Sequence, residues 1–67
     1  MKWTEMRERC PWLPESGNDY HQHENGGGWV HNTAEVDKTA HIGDGTVIGV
    51  NALIGEGAEI SINKGGK

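Results

Sequence analysis

The second half of the chain carries a six-residue hydrophobic period. From Gly28 onward, a β-branched residue stands at every sixth position: Val30, Val36, Ile42, Ile48, Ile54 and Ile60. A small residue precedes each of these by two positions: Gly28, Ala34, Ala40, Thr46, Ala52 and Ala58. Six residues advance a helix by about 240° and would scatter the apolar set, so the pattern excludes a helix. Strands of about four residues, joined by tight turns, place both kinds of residue on one inner face.

Turn-forming residues occupy a third position of the same period. Three residues after each branched residue stand Thr33, Thr39, Gly45, Asn51, Gly57 and Asn63. Gly and Asn accept a positive φ more readily than other residues, so the last four positions are predicted to be tight turns.

The first part of the chain has a different character. Residues 1–20 hold two of the three Trp, both Pro and the single Cys10. We expect Thr4 to cap a short helix over Glu5–Arg9, and Pro11 to end it. The polar, glycine-rich HQHENGGG that follows predicts a linker or bend. Residues 1–27 are therefore interpreted as an N-terminal arm with a linker.

The repeat region, GWVHNTAEVDKTAHIGDGTVIGVNALIGEGAEIS, resembles the hexapeptide repeat of left-handed parallel β-helix proteins. In that family three hexapeptides make one coil, so the resemblance places each residue beside the one eighteen positions later. It implies an all-β fold, a left-handed parallel β-helix of about two coils over residues 28–65, with a tail at 66–67. The irregular or short-helical arm would precede it. The stretch HENGGGWVHNTAEV also resembles the opening of small hexapeptide-repeat proteins of phages and prophages.

Composition and charge narrow the class of protein. Hydrophobic residues make up 33% of 67 residues, and a chain this short buries only about 60% of its unfolded surface. With a net charge of −4 and no basic stripe, nucleic acid is not an expected partner. The chain has no apolar run of membrane-spanning length and no signal-peptide pattern, so we expect no membrane partner and a cytoplasmic location, the host cytoplasm if phage-encoded.

A short repeat of this kind is expected to need a partner surface. The outward apolar positions predict a homotrimer whose interface contains Trp29, Val47, Val50 and Leu53. The alternative is that these residues lie beneath the chain's own N-terminal arm.

Candidate chemistry rests on histidines and on the basic residues of the arm. The predicted ligand-binding residues are Trp29, His31, His41, Arg7 and Arg9. Resemblance to hexapeptide acyltransferases makes His41 an alternative catalytic base, and the eighteen-residue spacing places it beside Glu59. His21 and His23 are an alternative metal pair, although two imidazoles in a glycine-rich segment lack a third ligand. No metal and no cofactor are expected.

Three functions remain open from the sequence. The first is a non-enzymatic homotrimer that holds a small anionic ligand, such as a nucleotide signal of host defence, or a host protein. The second is a minimal acyltransferase that uses His41. The third is a structural module that trimerises or caps a phage assembly.

Overall fold

The computed structural model describes residues 1–61, which form one α-helix and seven short strands. Their bounds are α1 Trp3–Arg9, β1 Tyr20–Gln22, β2 Trp29–His31, β3 Glu35–Val36, β4 His41–Ile42, β5 Val47–Ile48, β6 Leu53–Ile54 and β7 Glu59–Ile60. The helix begins before Thr4, so Thr4 is not its cap as predicted. Instead the Lys2 N–H donates to the Glu5 carboxylate at 2.8 Å.

The predicted spacing of eighteen residues is confirmed by three parallel strand pairs. Strand β2 pairs with β5, β3 with β6, and β4 with β7. The facing residues include Val30 and Ile48, Val36 and Ile54, and Ile42 and Ile60. We call β2, β3 and β4 the first set of strands, and β5, β6 and β7 the second set.

The predicted fold class, an all-β left-handed β-helix of two coils, is wrong. Beside the expected short helix of the arm, the strands form one mixed three-stranded sheet and two parallel pairs rather than a closed or continuous solenoid. Each of the strands β3 to β7 is two residues long, half the predicted length of about four residues. A solenoid needs repeats that contact a neighbour on each side. Within residues 1–61, each first-set strand has one parallel partner, and β1 joins β2 in the antiparallel sense.

The predicted turns lie where the period places them. Gly45, Asn51 and Gly57 have positive φ values of 91°, 59° and 74°. The Thr33 hydroxyl accepts a hydrogen bond from the Asn51 N–H at 2.9 Å, and the Thr39 hydroxyl accepts one from the Gly57 N–H at 3.0 Å. Thr33 and Thr39, in the turns after β2 and β3, therefore each accept a hydrogen bond from a backbone N–H in the turn eighteen residues later. Asn63, the last predicted turn, lies outside the described residues.

The core is formed by the inward residues of both sets of strands. Val30, Ile42 and Ile48 are buried, whereas Val36 and Ile54 are only half-buried. Close approach of the backbone at Gly28 is part of this packing, because a Cβ there would lie 2.3 Å from Ile42 Cγ2. Burial is thus complete around β2 and β4 and incomplete around β3.

The N-terminal arm packs over β2. The Trp3 ring lies 4.8 Å from the Tyr20 ring and 5.2 Å, edge to face, from the Trp29 ring. Trp29 Nε1 donates to the Met1 carbonyl at 2.9 Å, and the Met1 amino group lies 2.6 Å from an Asp44 carboxylate oxygen. The arm is therefore an integral part of the fold. Among residues 1–61, no helix has the length and apolar character to cross a membrane.

Candidate functional site

The three first-set strands differ in what covers their outer edge. Strand β2 is paired there by β1, with His21 opposite Val30. Strand β4 is covered by the glycine-rich bend, since the Ile42 N–H donates to the Asn25 carbonyl at 3.0 Å and the Ile42 carbonyl accepts from the Gly28 N–H at 2.9 Å. Strand β3 pairs only with β6, and no other strand of residues 1–61 lies on its outer edge.

The uncovered backbone groups at this edge belong to Val36. The Glu35 N–H donates to the Ala52 carbonyl at 2.8 Å, and the Asp37 N–H donates to the Ile54 carbonyl at 3.0 Å. Both bonds run toward β6. Because hydrogen-bonding groups alternate in direction along a strand, the N–H and carbonyl of Val36 point to the open edge. Val36 thus takes the place that Val30 and Ile42 hold in the two covered strands.

A groove of about 590 Å³ is lined by residues of both β3 and β6. We call it the β3–β6 groove, and its lining is Ala34, Glu35, Val36, Asp37, Leu53, Ile54 and Gly55. Leu53 is 77% exposed, and Val50, in the turn before β6, is 61% exposed. The exposed Leu53 lies with the half-buried Val36 and Ile54 in the lining of this groove.

Two exposed carboxylates flank Val36 and make the rim of the groove acidic. The Thr39 hydroxyl and the Thr39 N–H donate to Asp37 Oδ1 at 2.7 and 2.9 Å. These bonds, with a smaller contribution from the nearby Lys38, hold the pKa of Asp37 below its usual 3.8. Glu35, on the same face, is also exposed. The rim favours cationic groups over anionic ones.

The four predicted interface residues fall in two places. Trp29 lies under the arm, against Trp3 and Met1, so the alternative interpretation holds for it. Val47, its partner in β5, is half-buried. Val50 and Leu53 stand free on the surface near the groove. The interface itself stays a prediction, and Val50 and Leu53 are its most exposed members.

A separate polar cleft of about 470 Å³ contains His41. Asn25 Nδ2 donates to the Thr39 carbonyl at 3.3 Å, so its Oδ1 is directed at His41 Nδ1, 3.3 Å away. Because an amide oxygen only accepts, Nδ1 is the donor in this contact, and Nε2 has no hydrogen-bond partner among residues 1–61. Glu59 faces His41 across the strand pair, as predicted, and Ser61 lines the same cleft.

The other predicted ligand-binding residues are not near His41. His31 is half-buried on β2, with its Nδ1 2.9 Å from the Thr33 hydroxyl and its ring edge-on to Tyr20. Arg7 and Arg9 lie on the arm helix, and the buried Nε of Arg7 has no hydrogen-bond partner among the described residues. The predicted ligand-binding residues are therefore spread over the arm helix, β2 and β4.

His21 and His23 point to different partners. His21 is exposed, with its Nδ1 2.8 Å from the Asn32 side-chain oxygen. His23 is 8% exposed, and its Nε2 lies 2.9 Å from the Ala40 carbonyl, to which it donates. Within residues 1–61 no group of three His, Cys, Asp or Glu side chains could hold a metal ion. His23 instead attaches the glycine-rich bend to the repeat region through its hydrogen bond to the Ala40 carbonyl.

Sequence reasoning missed the acidic rim, the open β3 edge and the role of Asn25. The sequence did contain a signal for the first: Glu35 and Asp37 bracket an inward Val36 in the repeat. Nothing in the sequence distinguishes Val36 from Val30 and Ile42, because the difference lies in which edge the arm reaches.

Comparisons with protein-family models, with curated proteins and with solved structures found no match.

Proposed function

We propose that this chain is a non-enzymatic binding protein whose working surface is the β3–β6 groove. The observation that carries the proposal is the uneven coverage of three equivalent strands. Two have their outer edges covered by the chain itself, and the third combines an edge that no other strand of residues 1–61 pairs with and the β3–β6 groove.

The groove suits a protein partner better than a small ligand. Sites for small molecules enclose about 70–90% of their ligand's surface, whereas this groove is open and its Leu53 is largely exposed. Glu35 and Asp37 also disfavour the small anionic ligand considered from the sequence. A partner protein, a host protein if the chain is phage-encoded, is the class that the exposed apolar surface supports.

The homotrimer predicted from the sequence stays a prediction. Val50 and Leu53 still support it, since both are exposed beside the groove. A structural module in a larger assembly would use the same surface. Light scattering tests the homotrimer, because a trimer has three times the 7.3 kDa mass of one chain.

A photo-crosslinking amino acid at position 53 tests the proposed function. Position 24 is the control, because Glu24 is exposed in the bend on another part of the surface. We expect one discrete product from position 53 only, in extract of the native host cell. Excess unlabelled wild type should suppress that product, and unlabelled Leu53→Asp should not. No product at 53, or the same product at 24, would contradict the proposal.

The His41 cleft supports a second candidate function, acyl transfer. Asn25 fixes the tautomer that leaves Nε2 free to accept a proton, which a general base requires. The test is acetyl-CoA turnover with candidate amine acceptors. If His41 is the base, His41→Ala abolishes turnover and Asn25→Ala reduces it; absence of turnover in wild type removes this candidate.

A further inference from the structure

The open edge of β3 has a geometry that specifies its partner more closely than the groove alone. In the covered strands, the N–H and carbonyl of Ile42 bond to the bend, and Val30 pairs with His21 of an antiparallel strand. Val36 presents the same two groups in the same orientation. One further extended segment therefore completes the pattern, by adding a strand as in other edge-binding proteins.

The side chains around Val36 determine what that segment contains. In an antiparallel pair, the residue opposite Val36 lies on its face of the sheet, toward the half-buried Val36 and Ile54. That residue should be apolar. Its two neighbours point to the other face, where they meet Glu35 and Asp37. Opposite charges across strands stabilise a pair, so those neighbours should be lysine or arginine.

The same geometry argues against a second copy at this edge. Two β3 strands paired about Val36 would set Glu35 of one copy opposite Asp37 of the other, twice over. Like charges directly opposite destabilise strand pairs. Asp37 remains ionised at neutral pH, because its bonds to Thr39 favour the charged form and lower its pKa.

We propose that the β3 edge binds an extended segment of a partner protein with an apolar central residue between two basic ones. This inference rests on the proposed function and specifies the partner of the same groove. The segment pairs with the N–H and carbonyl of Val36. Its apolar side chain lies beside Val36, on the face that Val36 shares with Ile54, and its basic side chains lie against the acidic rim.

NMR titration of the ¹⁵N-labelled full chain with short peptides tests this proposal. The probe is acetyl-Thr-Lys-Val-Lys-Thr-amide. One control peptide replaces both lysines with glutamate, and the other carries an N-methyl group on the central valine, which removes its N–H donor. We expect shifts at Val36, its neighbours and Ile54 with the basic peptide. Both controls should bind about tenfold more weakly, the scale of two reversed charge pairs or a lost hydrogen bond.

A double variant, Glu35→Gln with Asp37→Asn, keeps the acceptor oxygens and removes both charges. It should retain the wild-type circular dichroism spectrum, bind the basic peptide about tenfold more weakly and bind the acidic peptide no more weakly than wild type. Equal binding of basic and acidic peptides by wild type would overturn the proposal, as would shifts confined to the His41 cleft or no shifts. Concentration-dependent shifts at Val36 without peptide would show that a second copy occupies the edge. A crosslink at position 53 without peptide binding would leave the proposed function standing and remove this inference alone.

Discussion

The β2 side and the β3 side of this protein are built from the same repeat but have different surfaces. On the β2 side, an antiparallel strand pairs with the edge and Trp3 packs on Trp29. On the β3 side, no strand among the described residues pairs with the outer edge, and Leu53 is 77% exposed. The repeat itself does not cause this difference, because the inward residues, Val30 and Val36, are identical. The difference comes from where residues 1–28 lie.

The arm covers two of the three first-set strand edges and is more than a linker. Segment 20–22 pairs with one edge, and the glycine-rich bend that begins after it covers a second. A chain of 67 residues has a marginal core of its own. Leaving a third edge open is consistent with a surface that another chain completes.

The largest expected effect is on the stability of the covered region. Ile42 is fully buried, so Ile42→Ala should lower the free energy of unfolding by about 2–5 kcal/mol. Leu53→Ala, on the open side, should change it by less than about 0.5 kcal/mol. Urea unfolding followed by circular dichroism measures both. Equal effects would mean that Ile42 and Leu53 are equally buried, which would contradict the difference between the covered and open sides.

A smaller effect separates two glycines. Gly28→Ala would place a Cβ 2.3 Å from Ile42 Cγ2 and 2.7 Å from the Gly43 carbonyl oxygen, so it should destabilise the fold by about 1–3 kcal/mol. Gly55→Ala is the matched control, since nothing lies within 4 Å of its added Cβ. The same unfolding experiment applies, and an unaffected Gly28→Ala protein would show that the bend does not pack on β4.

The smallest effect concerns the titration of Asp37. Its pKa is lowered by the Thr39 hydroxyl first and by the Thr39 N–H second, so Thr39→Val should raise it toward 3.8. Thr39→Ser should keep it low. A lowered pKa means that the stabilisation from Asp37 is full above about pH 4 and is lost as pH falls through the folded-state value. Carboxyl NMR titration measures the shift; identical pKa values in the valine and serine variants would exclude the hydroxyl as the cause.

The sequence predicted local geometry well and architecture poorly. The six-residue period predicted the left-handed turn at Asn51, because φ preference is a local property, whereas the register of Val30 with Ile48 was predicted from the hexapeptide resemblance. The predicted β-helix failed because the period does not say how far the pairing extends, or that an antiparallel strand ends it at β2. The placement of Trp29 depended on the arm, for which the sequence gives no contact partner.

The candidate site was predicted only in part. Leu53 was expected on the surface and lies there, and the pairing of His41 with Glu59 was expected from the spacing. The open edge at Val36 could not be predicted, since it is defined by which edges residues 20–28 cover. The orientation of His41 by Asn25 was equally inaccessible, because it links residues sixteen positions apart through the fold.

Amide hydrogen exchange at Val30, Val36 and Ile42 measures whether the β3 edge is open while the β2 and β4 edges are covered. These three residues occupy equivalent positions in the first-set strands. The Ile42 N–H is bonded to Asn25, and Val30 pairs with His21, so both amides should exchange slowly. The Val36 amide of the isolated chain should exchange much faster and become protected when the basic peptide is added. If Val36 is as protected as Val30 and Ile42 in the isolated chain, the β3 edge is already covered and the account is contradicted.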